Sequence, residues 1–335
     1  MKFAVVGAGA IGAFMGAMLS KAGYGVTLIA RGSHMRAMRK DGVRVKGISG
    51  EFVVRPDITD NPADAGPVDV VLLTLKAHSL TDMAPRIKPL LGPETTVVSA
   101  QNGIPWWYFY AHGGEWDGLR LESVDPGGVI EDHIESKRVL GCVIYCATVI
   151  SAPGVIEHVE GNRFPLGEPD GSKSERARLI AEAFRQAGLK SPVRTDIRRD
   201  IWVKLMGNVT FNPISALSRA TLLDIISCSE TRALASNMMA ECQAICARLG
   251  LDLGISIEQR IAGAEKVGHH KTSMLQDVEA GRPMELESLM GAVVELGEKM
   301  AIPIPYTKAV YACAKLLNQH VASSVAAPPA PTSPA

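Results

Sequence analysis

What the sequence has little of narrows the field first. Lysine plus arginine equal aspartate plus glutamate at 35 each over 335 residues. No basic surplus therefore points to nucleic acid or to an anionic membrane as a partner. Six cysteines are scattered, without a C-x-x-C cluster or histidines at ligand spacing, so no metal site is expected. Cys242 and Cys246 are spaced to lie one turn apart on an apolar helix, where a thiol packs as a small hydrophobe. Beyond the N-terminus, no uncharged apolar run approaches the ~20 residues that cross a bilayer. Lys2 followed by the uncharged stretch Phe3 to Ser20 resembles a secretory leader. Gly7, Gly9, Gly12 and Gly16 break that run, and a further strand-like segment follows at once. The expectation is a cytoplasmic protein with reduced thiols.

What is present is a 47% hydrophobic chain, long enough for two domains with cores of their own. Its first half alternates strand and helix patterns. "KFAVVGA", Val26 to Ala30, "DVVLLTL" (Asp69 to Leu75) and "TTVVSA" (Thr95 to Ala100) are near-continuous apolar strands, as expected when both sheet faces are covered. Ile11 to Lys21 reads as a helix, and Ser33 is placed to cap another through about Lys40. Val43 to Lys46 and Glu51 to Val54 read as a strand pair. Arg138 to Ile150, Val155 to Glu160, Arg163 to Leu166 and "SPVRT" are further strand-like runs, with a hairpin turn at Pro153-Gly154. From about Asp196 the pattern is helical almost throughout. The fold expected is α/β: an N-terminal Rossmann-type doubly wound sheet over 1–195 and an all-helical domain over 196–320. The Ala/Pro/Ser-rich stretch 321–335 is expected to be a disordered tail.

"VVGAGAIGA" supplies Gly7-x-Gly9-x-x-Gly12 directly between a strand and a helix. Gly7 permits the tight turn, Gly9 lets the backbone approach a pyrophosphate, and Gly12 allows close helix–strand contact. The N–H groups at the helix start, around Ala10 and Ile11, then face the phosphates. A glycine turn kept only for packing is the bland alternative. The second strand ends in "ARG", so Arg31 stands where an acid would bind a ribose 2′-hydroxyl. Its guanidinium matches a 2′-phosphate instead, which favours NADP over NAD; a solvated surface arginine is the alternative. Lys76 and Asn102 each follow a strand, where ligands bind in this architecture.

In the helical half, "DIWVKLMGNVTFNPISAL" spaces Lys204, Asn208 and Asn212 by four, one stripe down a helix. On spacing alone a solvated polar face is the commoner explanation. Pro213 is expected to kink or end that helix. Pro283 is placed for the first turn of another helix, with Leu286, Leu289, Met290, Val293 and Met300 as its apolar face and Glu285 at the border. Glu285 can be mere dipole chemistry and Ser273 a simple cap. Together, however, the set suits reduction of a ketone. A lysine can give a proton to the developing alkoxide, a carboxylate can orient that lysine, and amides and a hydroxyl can bind polar substrate groups.

"GAGAIG", "ARG", "LKAHSL", "QNGI", "WVKLMGNVTFNPISAL" and "TSMLQDVEAGRPMELESLMG", in this order, resemble the ketopantoate reductase (2-dehydropantoate 2-reductase) family. The resemblance implies an NADPH-binding Rossmann domain and a helical domain that closes over a substrate cleft. It implies reduction of 2-dehydropantoate, a step of pantothenate and coenzyme A biosynthesis. By it, Lys204 is the general acid and Glu285 contacts the substrate hydroxyl beside it. Asn102, Asn208, Asn212 and Ser273 hold the substrate, while Arg31 binds the 2′-phosphate and Lys76 and Asn102 lie near the cofactor. His270 departs from the asparagine of some relatives. The run Trp106, Trp107, Tyr108, Phe109 departs further, and is expected either to narrow the cleft or to pack at an interface, such as that of a homodimer. Two other functions stay open: reduction of another branched 2-oxo acid or of an imine, as in opine-type dehydrogenases, and a non-catalytic NADPH-binding regulator.

Overall fold

A computed structural model of the chain describes residues 1–326. It separates into two compact units between Ile201 and Trp202.

In the first unit β1 (Lys2–Val6), β2 (Gly25–Ile29), β5 (Asp57–Thr59), β6 (Val68–Leu73), β7 (Leu91–Ser99), β8 (Val139–Cys142), β11 (Leu166–Gly167) and β12 (Val193–Arg194) form one sheet. Their spatial order is β5-β2-β1-β6-β7-β8-β11-β12, parallel except where β11 meets β8. The chain leaves β1 for β2 on one side and later returns to place β6 on the other. This is the topological switch point at which doubly wound sheets bind ligands. The strands are apolar throughout because successive residues feed different layers. Phe3, Val5, Val70 and Leu72 join one buried cluster with Phe14 and Phe184. Ala4, Val6, Val71 and Leu73 join a second with Leu80 and Ile87.

Helix α1 (Ala10–Lys21) follows β1, and α2 (Gly32–Asp41) follows β2. The short helices α3 (Leu80–Met83) and α4 (Val129–His133) and the longer α5 (Glu175–Gln186) complete the layers. Ser33 does not cap α2: Arg31 holds the N-cap position, and no side chain makes a cap bond there. The reason is geometric, since Gly32 at φ 68° turns the chain one step earlier.

A second sheet escaped the sequence reading as a unit. It joins β3 (Val43–Gly47), β4 (Phe52–Val54), β9 (Tyr145–Ala152) and β10 (Val155–Arg163) in the order β4-β3-β10-β9. The expected β3–β4 pair and the β9–β10 hairpin are both present and antiparallel. The run expected as one strand over 138–150 is two strands in different sheets, β8 and β9. What joins the hairpins is parallel pairing of β10 with β3 across a long loop of sequence.

The aromatic run has a different role from either one expected. Trp107, Tyr108 and Phe109 are buried, so their rings serve as core rather than stand exposed for a second subunit. The Trp107 ring lies so close to Gly141 that a Cβ there would stand 2.6 Å from its Cη2. Arg198 ties the run's backbone down, donating to the carbonyls of Tyr108 and Tyr110 at 2.7 Å each. Trp106 alone reaches the Asn102 loop, lining a small apolar cavity with Ala77, Gln101 and Asn102.

The second unit consists of helices: α6 (Ile197–Ser218, from Trp202 onward), α7 (Leu222–Ser227), α8 (Ser229–Arg248), α9 (Ile257–Val267), α10 (Ser273–Glu279), α11 (Ala292–Lys299) and α12 (Pro305–Ala326). Capping boxes Thr221/Asp224 and Ser256/Gln259 start α7 and α9. Glu241 of α8 accepts from the Tyr306 and Thr307 N–H groups at 2.9 and 2.8 Å and so starts α12. Burial raises the Cys242 thiol to about 12 and pushes Cys246 up as well, in keeping with both as packing residues. Helix α12 includes 321–326, where a disordered tail is expected from composition; 327–335 lie outside the described residues.

Trp107→Ala should cost about 3–5 kcal/mol, the range for emptying a buried aromatic site. Urea unfolding checks this; a loss under 1 kcal/mol would return Trp107 to the surface.

Candidate active site

Four of the first unit's loops gather at the carboxyl ends of β1, β2, β6 and β7. At the first, Gly7 has φ 93°, and a Cβ there would lie 2.5 Å from the Leu75 nitrogen and 2.6 Å from its Cα. A Cβ on Gly12 would meet the Thr74 hydroxyl and stand 2.5 Å from the Gly7 carbonyl. The Thr74 hydroxyl donates to that carbonyl at 3.0 Å and the Thr74 N–H to the Val6 carbonyl at 3.0 Å, so the turn after β1 and the loop after β6 are locked together. Gly9 is exposed, and the nearest atom to a Cβ there would be 3.9 Å away. Open space at Gly9 between two closed positions is what a close-approaching pyrophosphate needs.

Helix α1 begins at Ala10 with no capping side chain and no acid in its first turn. The N–H groups of Ala10, Ile11 and Gly12 thus have no intrahelical partner, and the positive end of the dipole is uncompensated. That donor set fits the diphosphate of a dinucleotide. Arg31 is exposed at the start of α2, whose first turn also lacks an acid. The nearby His34 imidazole accepts from the Gly154 N–H at 3.0 Å, and burial pushes its pKa down. The charge here is therefore the guanidinium's. Lys76 is half-buried where the chain turns after β6. Asn102 is half-buried after β7, and Gln101 beside it ties the two loops by donating to the Leu73 carbonyl at 3.2 Å. The structure thus brings the glycine turn, Arg31, Lys76 and Asn102 to one edge of the sheet.

The second unit holds the remaining candidates. Along α6, Trp202, Leu205, Met206 and Val209 are buried, while Lys204 and Asn208 are half-buried and Asn212 buried on one face. Pro213 does not end this helix, which runs on to Ser218. Pro213 is itself buried, and packing outweighs the one backbone bond it cannot make. The Ser215 hydroxyl then closes the helix end by donating to the Ala220 carbonyl at 2.6 Å. Ser273 is exposed as the first residue of α10, and the capping oxygen belongs to Thr272, so Ser273 is not the cap. His270 is exposed, with its carbonyl accepting from the Leu222 N–H at 3.1 Å.

Pro283 stands before the helix rather than in its first turn: helical structure begins only at Leu286. Met284, pinned by its N–H to the Asn318 side chain at 2.8 Å, holds this strap in place. Glu285 follows, half-buried at the junction. A π-helical turn over Glu287–Gly291 comes next, the kind of irregularity often found beside functional groups. Nothing in the local pattern announced it. The apolar positions Leu286, Leu289, Met290, Val293 and Met300 are all buried, as their spacing predicts. Among the described residues no metal-binding cluster occurs, and no helix is long and apolar enough to cross a membrane.

Residues 3–106 match the family model "Ketopantoate reductase PanE/ApbA", and residues 196–318 match its C-terminal counterpart. The chain belongs to the ketopantoate reductase family. The 2-dehydropantoate 2-reductase of Mesorhizobium japonicum is 50% identical over 318 residues, covering 95% of this chain and 98% of that one. A solved structure from Ralstonia solanacearum MolK2 superposes with a TM-score of 0.91 at 39% identity, covering 96% and 98% of the two chains. D-mandelate dehydrogenase, solved with NADH and anilino(oxo)acetate, shares the fold at a TM-score of 0.81 and 22% identity, covering 96% and 99%. The chain is thus an oxidoreductase of this family, with a Rossmann-type N-terminal domain and a helical C-terminal one.

Gly12→Val should abolish dinucleotide binding, because its side chain must displace the Thr74 loop. Fluorescence titration with NADPH and with NADH checks this; unchanged affinity for both would remove the glycine turn from the site.

Proposed function

We propose that this protein reduces 2-dehydropantoate to pantoate with NADPH, in the cytoplasm, with Lys204 as the proton donor. Its carrying observation is that between 201 and 216 an otherwise buried helix opens only at Lys204, Asn208 and the adjoining Val203, within the segment that matches the family's C-terminal model. When bound, the nicotinamide supplies a hydride to the ketone carbon. Lys204 holds the matching proton for the ketone oxygen and, as an ammonium, stabilises negative charge as it grows there. Water then returns a proton to the lysine. Glu285 orients the ammonium and meets the substrate hydroxyl, while Asn102, Asn208, Asn212 and Ser273 bind polar substrate groups. Gly7, Gly9, Ala10, Ile11 and Gly12 hold the diphosphate, with Lys76 and Asn102 at the nicotinamide end.

The preference for NADPH rests on Arg31. A guanidinium at the start of a helix without an acidic first turn favours a dianionic 2′-phosphate twice over, by its own charge and by the helix dipole. An acid there would instead bind the 2′-hydroxyl of NADH.

One set of assays tests both statements. NADPH oxidation should be fastest with 2-dehydropantoate among a panel of 2-oxo acids and imine-forming pairs, and Arg31→Ala should raise the Kd for NADPH at least tenfold more than that for NADH. Turnover confined to another acid or an imine would replace the substrate. NADPH binding without oxidation across the panel would leave a regulator. Equal losses for both nucleotides would make Arg31 a surface charge.

A further inference from the structure

Between 201 and 216, helix α6 is buried everywhere except Val203, Lys204 and Asn208. At about 100° per residue these three fall within one sector, and Gly207 falls between Val203 and Lys204 in that same sector. Gly207 is nevertheless buried. Its cover is the guanidinium of Arg260, reaching over from α9. A Cβ at position 207 would stand 2.6 Å from Arg260 Cζ and 2.9 Å from Nε, and closer still to Nη2. Glycine inside a helix is unfavourable relative to alanine; here its missing Cβ is what admits the arginine.

We propose that Arg260 is a specificity-determining residue that anchors the substrate carboxylate, an inference that rests on Lys204 being the proton donor. In any 2-oxo acid the carboxylate carbon is bonded directly to the ketone carbon. Whatever grips the carboxylate must therefore lie within a few ångströms of whatever protonates the ketone. Gly207 is three residues from Lys204, about 4.5 Å along the helix axis, so the Arg260 head lies against the same stretch of α6 that carries Lys204. Its planar fork matches a carboxylate with two parallel N–H bonds, which an ammonium cannot do. The division of labour is then clear: Arg260 selects an acid, and Lys204 acts on its neighbouring carbonyl.

The test compares 2-dehydropantoate with its methyl ester, which keeps the ketone and loses the negative charge. The readout is the ratio of kcat/KM for acid over ester, measured on enzyme whose NADPH Kd and Tm establish folding. Arg260→Gln should lower that ratio by about tenfold to a hundredfold, the scale of hydrogen bonds to a charged group, chiefly through KM for the acid. Arg260→Lys should recover part of it. Gly207→Ala keeps every charge but displaces the guanidinium, and should lower the ratio in the same direction. Acid and ester falling together, or an unchanged ratio in Arg260→Gln, would overturn the assignment. Should wild-type enzyme reduce a different 2-oxo acid, the substrate reading fails by itself, and that acid with its own ester decides on Arg260.

Discussion

The turn after β1 has no room for a side chain at either end, and the ligand edge of the first unit depends on that constraint. A Cβ at Gly7 would meet the Leu75 backbone, and one at Gly12 the Thr74 hydroxyl and the Gly7 carbonyl. Because the turn is pressed against the β6 loop, the start of α1 is held at the switch point between β1 and β6. Gln101 extends the same fixed frame to the β7 loop through the Leu73 carbonyl. The loops that present Lys76 and Asn102 are thereby set with respect to the glycine turn by close backbone packing and by short side chains bonded to backbone carbonyls. A dinucleotide site built this way is preformed, which lowers the ordering cost of binding.

The second unit uses a different device. Its central helix is packed almost all round, and in the proposed mechanism its few open positions carry the chemistry. Lys204 and Asn208 occupy that opening, and a glycine admits a second cation beside them. The strap that delivers Glu285 is fixed at Met284 by Asn318 and leads into a π-turn, so the carboxylate enters from an irregular segment rather than a regular helix face. Polar groups placed on buried, well-supported backbone keep their geometry better than groups on loose loops.

Much of this was legible in the sequence where the signal is local. The glycine spacing, the arginine after β2 and the Lys204/Asn208/Asn212 stripe depend on residues within a few turns of each other, and all stand in the elements expected. The misses involve partners far apart in the chain. β5 is three residues long and exists only by pairing with β2. The second sheet needs β3 to meet β10 more than a hundred residues later. The aromatic run follows Asn102 directly, which suggests a cleft or an interface; packing against Gly141 and ties from Arg198 draw Trp107 and Tyr108 inward, and only Trp106 stays beside the Asn102 loop. At Pro213 propensity predicts a helix end, and burial overrides it. Arg260 carries no motif at all, and its place over Gly207 is a contact between residues more than fifty apart in the chain.

The central claim is that Lys204 delivers the proton to the reduced ketone. Its most direct test is Lys204→Ala, followed by stopped-flow NADPH oxidation with saturating 2-dehydropantoate and by direct titration of NADPH. The account predicts that kcat falls by about 10²–10⁴, the contribution of a positioned general acid, while the NADPH Kd changes less than about twofold. Turnover within about threefold of wild type would contradict it.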